Sequence, residues 1–276
     1  MNELLSDQFR QRLEQLVLQN AENYQTAEPF PHIVIENFLP PQVLSSVLET
    51  FPSPNQLKWK KHENVEEIKL EFTKAEMMPS EARDVLYFLN SAIVLNFLEQ
   101  LTGIENLLPD PYFVGGGLHQ IQPGGFLDVH ADFNKYQKFD LDRRLNLLIY
   151  LNEDWKEEYG GHLELWDKTM SNCEKTILPI FNRCVVFSTT SDSFHGHPMP
   201  LTCPPDRTRK SLAVYYYTNG RPEEEINFAH STVFKKRPGK ELSAATRATI
   251  VTKKILKSLL PPIISDTVYR IKTRQK

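Results

Sequence analysis

Residues 144–166 read RLNLLIYLNEDWKEEYGGHLELW. Leu145 to Leu151 is a short run of branched and aromatic residues, closed by the turn formers Asn152 to Asp154. Gly160-Gly161 marks a second turn, and His162 to Trp166 follows as another short strand. The same rhythm extends outward. On the N-terminal side, strands are expected at Phe113 to Gln122 and at Phe126 to Asp132, with Gly124-Gly125 between them. On the C-terminal side they are expected at Lys175 to Leu178, Cys184 to Ser188, Phe194 to Met199 and Ser211 to Thr218. Short strands of this kind, divided by Gly, Asn and Pro, imply an all-β core, a double-sheet jelly roll or barrel.

Helices flank that core. Leu5, Phe9, Leu13, Leu16 and Val17 recur at helical spacing over roughly the first twenty residues. His32 to Ile35 reads as a strand, and Pro40-Pro41 opens a helix that carries Val43, Leu44, Val47 and Leu48 and stops at Pro52. Ile68, Leu70 and Phe72 alternate with charged residues as in a half-exposed strand. One long helix is expected from Ser80 through Leu101, closed by Gly103. After Arg221 the strand signal fades, and Glu241 to Leu260 returns to helical spacing. The expected organisation is therefore one domain over 1–232, with its core at about 112–218 and helical support over 1–111. A basic C-terminal helical extension follows over 233–276.

Composition narrows the function classes. The chain has 276 residues, 40% hydrophobic and 24% charged, which suits one large folded core. Eleven Gly and nineteen Pro exclude collagen-like and low-complexity readings. No apolar stretch is long enough to span a bilayer, and Glu3, Asp7 and Glu14 interrupt any leader-like run at the N-terminus. Cys173, Cys184 and Cys203 are odd in number and lack C-x-x-C spacing, so a reducing, cytoplasmic setting is expected. Charge is uneven. From Val233 to Lys276 twelve Lys or Arg face only Glu241 and Asp266, a net +10 that leaves −13 for the rest of a chain whose formal charge is −3. Such a tail reads first as a solvated helix face. A second reading makes it a peripheral membrane or protein contact through Lys253, Lys254, Lys257, Arg270, Lys272 and Arg274; nothing points clearly to nucleic acid.

The chemistry-bearing pattern is Val129-His130-Ala131-Asp132. Two residues apart on a strand, His130 and Asp132 project from one face, and a distant histidine would complete a 2-His-1-carboxylate metal site with open positions. His195 and His197, in Ser193-Phe194-His195-Gly196-His197-Pro198, both fit that place. Periodicity does not separate them, although Pro198 marks His197 as leaving the strand and so favours His195. Arg209 and Lys210 open the strand that follows, where a fixed positive charge suits a carboxylate.

Together these residues resemble the iron(II)- and 2-oxoglutarate-dependent oxygenases, in their prolyl 4-hydroxylase-like branch. Pro29 to Pro52 looks like that family's N-terminal strand and helix, Gln122 to Asp132 (QPGGFLDVHAD) like its first-ligand strand, and Arg144 to Trp166 like its central hairpin. The resemblance covers about Pro29 to Thr218 and implies a double-stranded β-helix. It implies His130, Asp132 and His195 as iron ligands and Arg209 as the partner of the distal carboxylate of 2-oxoglutarate, with Lys210 as runner-up. Tyr150 matches a tyrosine that binds the same carboxylate. Many relatives carry a tyrosine just before the Pro-Gly turn, where this chain has Gln120-Ile121-Gln122. The implied cofactors are Fe(II), with 2-oxoglutarate and dioxygen as co-substrates and ascorbate as a reductant.

The implied activity is hydroxylation of a C–H bond in a prolyl or other amino-acid residue, or in an amino-acid-derived metabolite, with release of succinate and carbon dioxide. The substrate is thus a peptide, a protein or a small molecule. Two other readings use the same ligands: a catalytically silent metal-binding jelly roll acting as a binding module, and a zinc-dependent hydrolase. The hydrolase would want a general-base glutamate that Glu153 and Glu164 supply poorly. Phe133 to Arg143 is a candidate lid or an ordinary hairpin loop, and Trp155, Trp166 and Tyr215 are candidate pocket residues.

Overall fold

The structure, a computed structural model, describes residues 2–238. Its strands in chain order are β1 (His32–Ile35), β2 (Lys60–Glu63), β3 (Glu67–Phe72), β4 (Leu108–Pro109), β5 (Gly117–Ile121), β6 (Phe126–Ala131) and β7 (Lys135–Tyr136), then β8 (Leu141–Tyr150), β9 (Leu163–Trp166), β10 (Cys173–Ile177), β11 (Cys184–Ser188), β12 (His195–His197), β13 (Arg209–Thr218) and β14 (Val233–Phe234). The helices are α1 (Asp7–Gln25), α2 (Pro41–Glu49), α3 (Ser80–Leu89) and α4 (Ala92–Thr102). All strand pairs are antiparallel, in one curled sheet of order β1-β11-β8-β13-β5-β3-β6-β12-β9-β10. This is the expected jelly-roll core.

Strand alternation divides β13 between two environments. Leu212, Val214 and Tyr216 enter the main core with α1 to α4, whereas Ala213, Tyr215 and Tyr217 belong to a separate cluster on the barrel's inner face. The helices are fixed to the outer face by local rules. Ser6 caps α1 by accepting the amide of Phe9 at 3.2 Å, and Pro41 begins α2 where a missing N–H costs nothing. Tyr24 of α1 meets Ser188 of β11 at 2.8 Å, and Tyr216 donates to the Leu89 carbonyl at the end of α3.

Some expectations are corrected. The single helix over 80–101 is two helices, bent by 49°, because the chain leaves helical geometry at Ser91. There the Asn90 side chain donates to the Asp110 carbonyl. No single helix among the described residues is long and apolar enough to cross a membrane. The two strands expected within the N-terminal support do form: β1 pairs with β11, and β3 bridges β5 and β6. The 133–143 segment is a hairpin, with Lys135 opposite Asp142 and Tyr136 opposite Leu141, and Tyr136 is buried. Finally, Val233 and Phe234 are not helical. They pair with Ala131 and His130 as β14, and the first compact unit runs from Met1 to Arg237, past the expected boundary at 232. The helix expected at 241–260 and the basic residues from Lys253 to Arg274 lie outside the described residues.

One charged feature of the sheet lies away from the helices. His62 of β2 bridges Glu67 and Glu71 of β3 at 2.9 and 3.1 Å, and Lys60 and Lys69 ion-pair with the same two carboxylates. The hydrogen bonds to Glu67 and then Glu71 raise the His62 pKa above the usual 6.5. Burial would raise Glu67, but His62 and Lys69 hold it at about 2. The raised histidine stabilises fully below its unfolded pKa and stops doing so as pH climbs through its folded value. The lowered carboxylates stabilise above their unfolded pKa and fail only in strong acid. Stability from this cluster therefore peaks between the ordinary carboxylate and histidine pKa values and declines above the latter. Chemical denaturation across pH 5.5 to 9 should show that decline in the native chain and a flatter profile in His62→Gln; parallel profiles would contradict it.

Candidate metal centre

β6 and β12 lie side by side with His130 opposite His195, so two strands far apart in sequence place both imidazoles on the inner face. Asp132 follows β6 on the same side. One donor atom from each of His130, Asp132 and His195 falls within 4.8 Å of the others. The His130 Nε2 stands 3.6 Å from Asp132 Oδ1, and the His195 Nε2 stands 3.4 Å from Asp132 Oδ2.

Backbone carbonyls set both tautomers. His130 donates its Nδ1–H to the Asp128 carbonyl at 2.8 Å, and His195 donates its own to the Ser193 carbonyl at 3.0 Å. A carbonyl can only accept, so in each neutral ring the proton sits on Nδ1 and the Nε2 lone pair faces the cluster. Burial, then the neighbouring His195, lowers the His130 pKa and keeps that lone pair free. Phe187 packs edge-on against His195 at 4.6 Å, and Phe234 of β14 covers His130 at 5.4 Å.

Asp132 is gripped from behind. Its Oδ2 accepts from Arg143 at 2.9 Å and from Asn146 at 2.8 Å, while Arg143 donates twice more to Asn146 Oδ1, at 3.0 and 2.6 Å. The Arg143 guanidinium, 1% exposed, lies 3.5 Å from the Tyr215 ring centroid and 4.5 Å from that of Phe133. Burial would raise the Asp132 pKa, but the Arg143 charge beside it holds it well below the usual value, so it is a carboxylate. Two neutral imidazole nitrogens and a fixed carboxylate oxygen are a donor set that fits a divalent metal and leaves other coordination positions open.

Further along the inner face, Arg209 donates from Nε to the Gly161 carbonyl at 2.8 Å and from Nη2 to the Tyr150 hydroxyl at 3.3 Å. Arg209 is 5% exposed, and no carboxylate lies within ion-pairing distance of it among the described residues. Burial raises the Tyr150 pKa, so its hydroxyl keeps its proton; it accepts from Arg209 and has that proton left to donate. A buried cation lacking an anion beside a hydroxyl with a spare proton fits one end of a dicarboxylate. Gly161 makes this approach feasible. Its φ is +74°, and a Cβ there would stand 2.9 Å from the Arg209 Cδ.

The structure also sorts the remaining candidates. Lys210 falls on the opposite face of β13, where its backbone N–H donates to Asn152 Oδ1 at 2.7 Å, so it does not face the barrel interior. His197 is buried but outside the three-donor cluster. Tyr215 reaches the site through Arg143. Trp155 packs with Ile121, Leu201 and Cys203, and Trp166 packs with Val129, Met170 and Phe194. Glu164 accepts from the Trp166 indole at 2.8 Å, which removes it further from a general-base role. Arg143 and Asn146 are the site residues that sequence reasoning missed.

Comparison with known proteins adds the family. Residues 116–217 match the 2OG-Fe(II) oxygenase superfamily. No curated protein matches the chain. Among solved structures, a prolyl 4-hydroxylase from Pseudomonas putida is 16% identical with a TM-score of 0.54, covering 74% of this chain and 100% of its own. A prolyl hydroxylase from Trichoplax adhaerens, in complex with a hypoxia inducible factor oxygen degradation domain peptide fragment, is 19% identical with a TM-score of 0.56, over 77% of this chain and 93% of its own. HygX from Streptomyces hygroscopicus, with nickel and 2-oxoglutarate bound, is 9% identical with a TM-score of 0.51, over 79% and 96%. At these identities the likeness is one of fold. The family match spans the segment that carries His130, Asp132, His195, Tyr150 and Arg209, so residues 116–217 are similar to a 2OG-Fe(II) oxygenase domain in sequence pattern, fold and three-donor cluster.

Proposed function

We propose that this chain is an iron(II)- and 2-oxoglutarate-dependent hydroxylase acting on a C–H bond of a prolyl or other amino-acid residue, or of an amino-acid-derived metabolite. The observation that carries the reading is the pairing of an open three-donor face with a buried, anion-free Arg209 on the same barrel interior. In this reading His130 and His195 hold iron through Nε2 and Asp132 holds it through the carboxylate that Arg143 and Asn146 orient. Arg209 and Tyr150 bind the distal carboxylate of 2-oxoglutarate. Leu163, Leu165, Val185 and Phe187 cluster with Tyr150 and exclude water from that end. Bound together, the metal and 2-oxoglutarate supply dioxygen-dependent oxidation of a C–H bond, with succinate and carbon dioxide as co-products and ascorbate serving as reductant.

Adding iron(II) and then 2-oxoglutarate to the apoprotein without oxygen tests this reading. A visible charge-transfer band is expected in the native chain and absent in His130→Ala and His195→Ala. With oxygen and a panel of proline-containing peptides, a 16 Da mass gain coupled to succinate is expected. A protein that binds metal but gives no band supports the binding-module or zinc reading instead.

A further inference from the structure

His197 is 3% exposed, and neither ring nitrogen has a hydrogen-bond partner among the described residues. This is an unusual state for an imidazole. A neutral ring carries one N–H donor and one acceptor, and leaving either unsatisfied in a protein interior is unfavourable because the group has given up water without gaining a partner. Its neighbours on β12 have no such problem, since His195 is anchored to the Ser193 carbonyl. On its β6 side β12 is bulged between His195 and His197, but on its β9 side His195 stands opposite Leu165 and Gly196 opposite Glu164, so the register runs from His197 toward Leu163, which clusters with Tyr150 and follows by two residues the Gly161 carbonyl that accepts from Arg209. His197 thus belongs to the same interior as Arg209 and the three-donor cluster without joining that cluster.

Two anomalies then share one location: a guanidinium without an anion and an imidazole without a partner. One negatively charged oxygen ligand would give the guanidinium its anion and the imidazole N–H an acceptor. We infer that His197 is a co-substrate-binding residue, donating an N–H to the distal carboxylate that Arg209 attracts, and so helps select a dicarboxylic 2-oxo acid over a monocarboxylic one. This rests on the proposed function and adds to it a third contact beside Arg209 and Tyr150. No change of protonation is required, because the neutral ring already has the donor.

The test compares two ligands on metal-loaded protein without oxygen: 2-oxoglutarate, and 2-oxopentanoate, which has the same carbon chain but a methyl group in place of the distal carboxylate. His197→Leu should raise the dissociation constant for 2-oxoglutarate about tenfold, the effect of one lost hydrogen bond to a charged group. Affinity for 2-oxopentanoate and for the metal should not move. His197→Gln, which keeps an N–H donor, should recover part of the loss. Equal losses for both ligands, or no loss for either, overturn the inference. Should the Leu variant fail to fold, the native zinc-loaded protein with 15N-labelled histidine decides: the His197 ring resonances shift with 2-oxoglutarate and not with 2-oxopentanoate, and unchanged resonances overturn it. If the native chain binds metal but never binds 2-oxoglutarate, the proposed function falls along with the inference. Native binding that His197→Leu leaves intact removes the inference alone.

Discussion

Asp132→Ala is expected to abolish iron(II) binding and also to destabilise the apoprotein by about 3–5 kcal/mol, whereas His195→Ala loses the metal with a far smaller change in stability. The difference lies in what each residue leaves behind. Removing His195 frees one backbone carbonyl and opens a space beside Phe187. Removing Asp132 strands Arg143, a fully buried cation for which Asp132 is the ion-pair partner among the described residues. Asn146 and the Tyr215 and Phe133 rings still surround the guanidinium, but none carries a negative charge. Denaturant unfolding of the apoprotein measures the loss directly, and in a chain of this size it corresponds to a melting temperature roughly 10 °C lower. An Asp132→Ala protein as stable as the native one would refute the buried-pair account while leaving the metal question open.

Arg209→Leu gives the second large effect, with the opposite sign for stability. Truncating one partner of a buried, hydrogen-bonded charge pair costs at least about 2 kcal/mol, so the 2-oxoglutarate concentration needed to form the chelate should rise about 30-fold or more. Arg209 has no carboxylate partner among the described residues, so replacing it with an apolar residue of similar volume should leave the apoprotein no less stable. Lys210→Ala should change neither quantity, because that side chain is on the other face of β13. Anaerobic titration and a thermal melt read both results. A destabilised Arg209→Leu apoprotein would mean that the guanidinium is satisfied internally.

The ease with which these residues are found from sequence varies with how regular their strands are. His130 and Asp132 are plain because two-residue spacing holds across the end of β6. Arg209 separates from Lys210 once β13 is seen to alternate, since Arg209, Tyr215 and Tyr217 share a face and Leu212, Val214 and Tyr216 pack with the helices. Arg143 defeats the same rule. β8 pairs Leu145 with Tyr216 but Arg143 with Tyr217, so Arg144 is an inserted residue and the parity of the strand reverses across it. Only that bulge turns Arg143 and Asn146, three residues apart, toward the same carboxylate. β2 was invisible for another reason: Lys60 to Glu63 is KKHE, with no apolar alternation, and it forms because β3 offers a ladder and opposite charges. The break between α3 and α4 escaped because apolar spacing continues through it, while the interruption itself rests on Asn90 and Ser91.

The two residues of β14 have a consequence for how the chain should be cut. β6 is paired along one side by β12, but its other side is shared: β3 takes Phe126 and Leu127, and β14 takes His130 and Ala131. The Lys235 amide extends this pairing by donating to the Val129 carbonyl. A chain ended before Val233 would expose the N–H and C=O groups of the strand that carries His130, an open template for a strand from a second molecule. A fragment stopped at 232 should therefore self-associate with concentration, and one that includes Arg237 should stay dispersed.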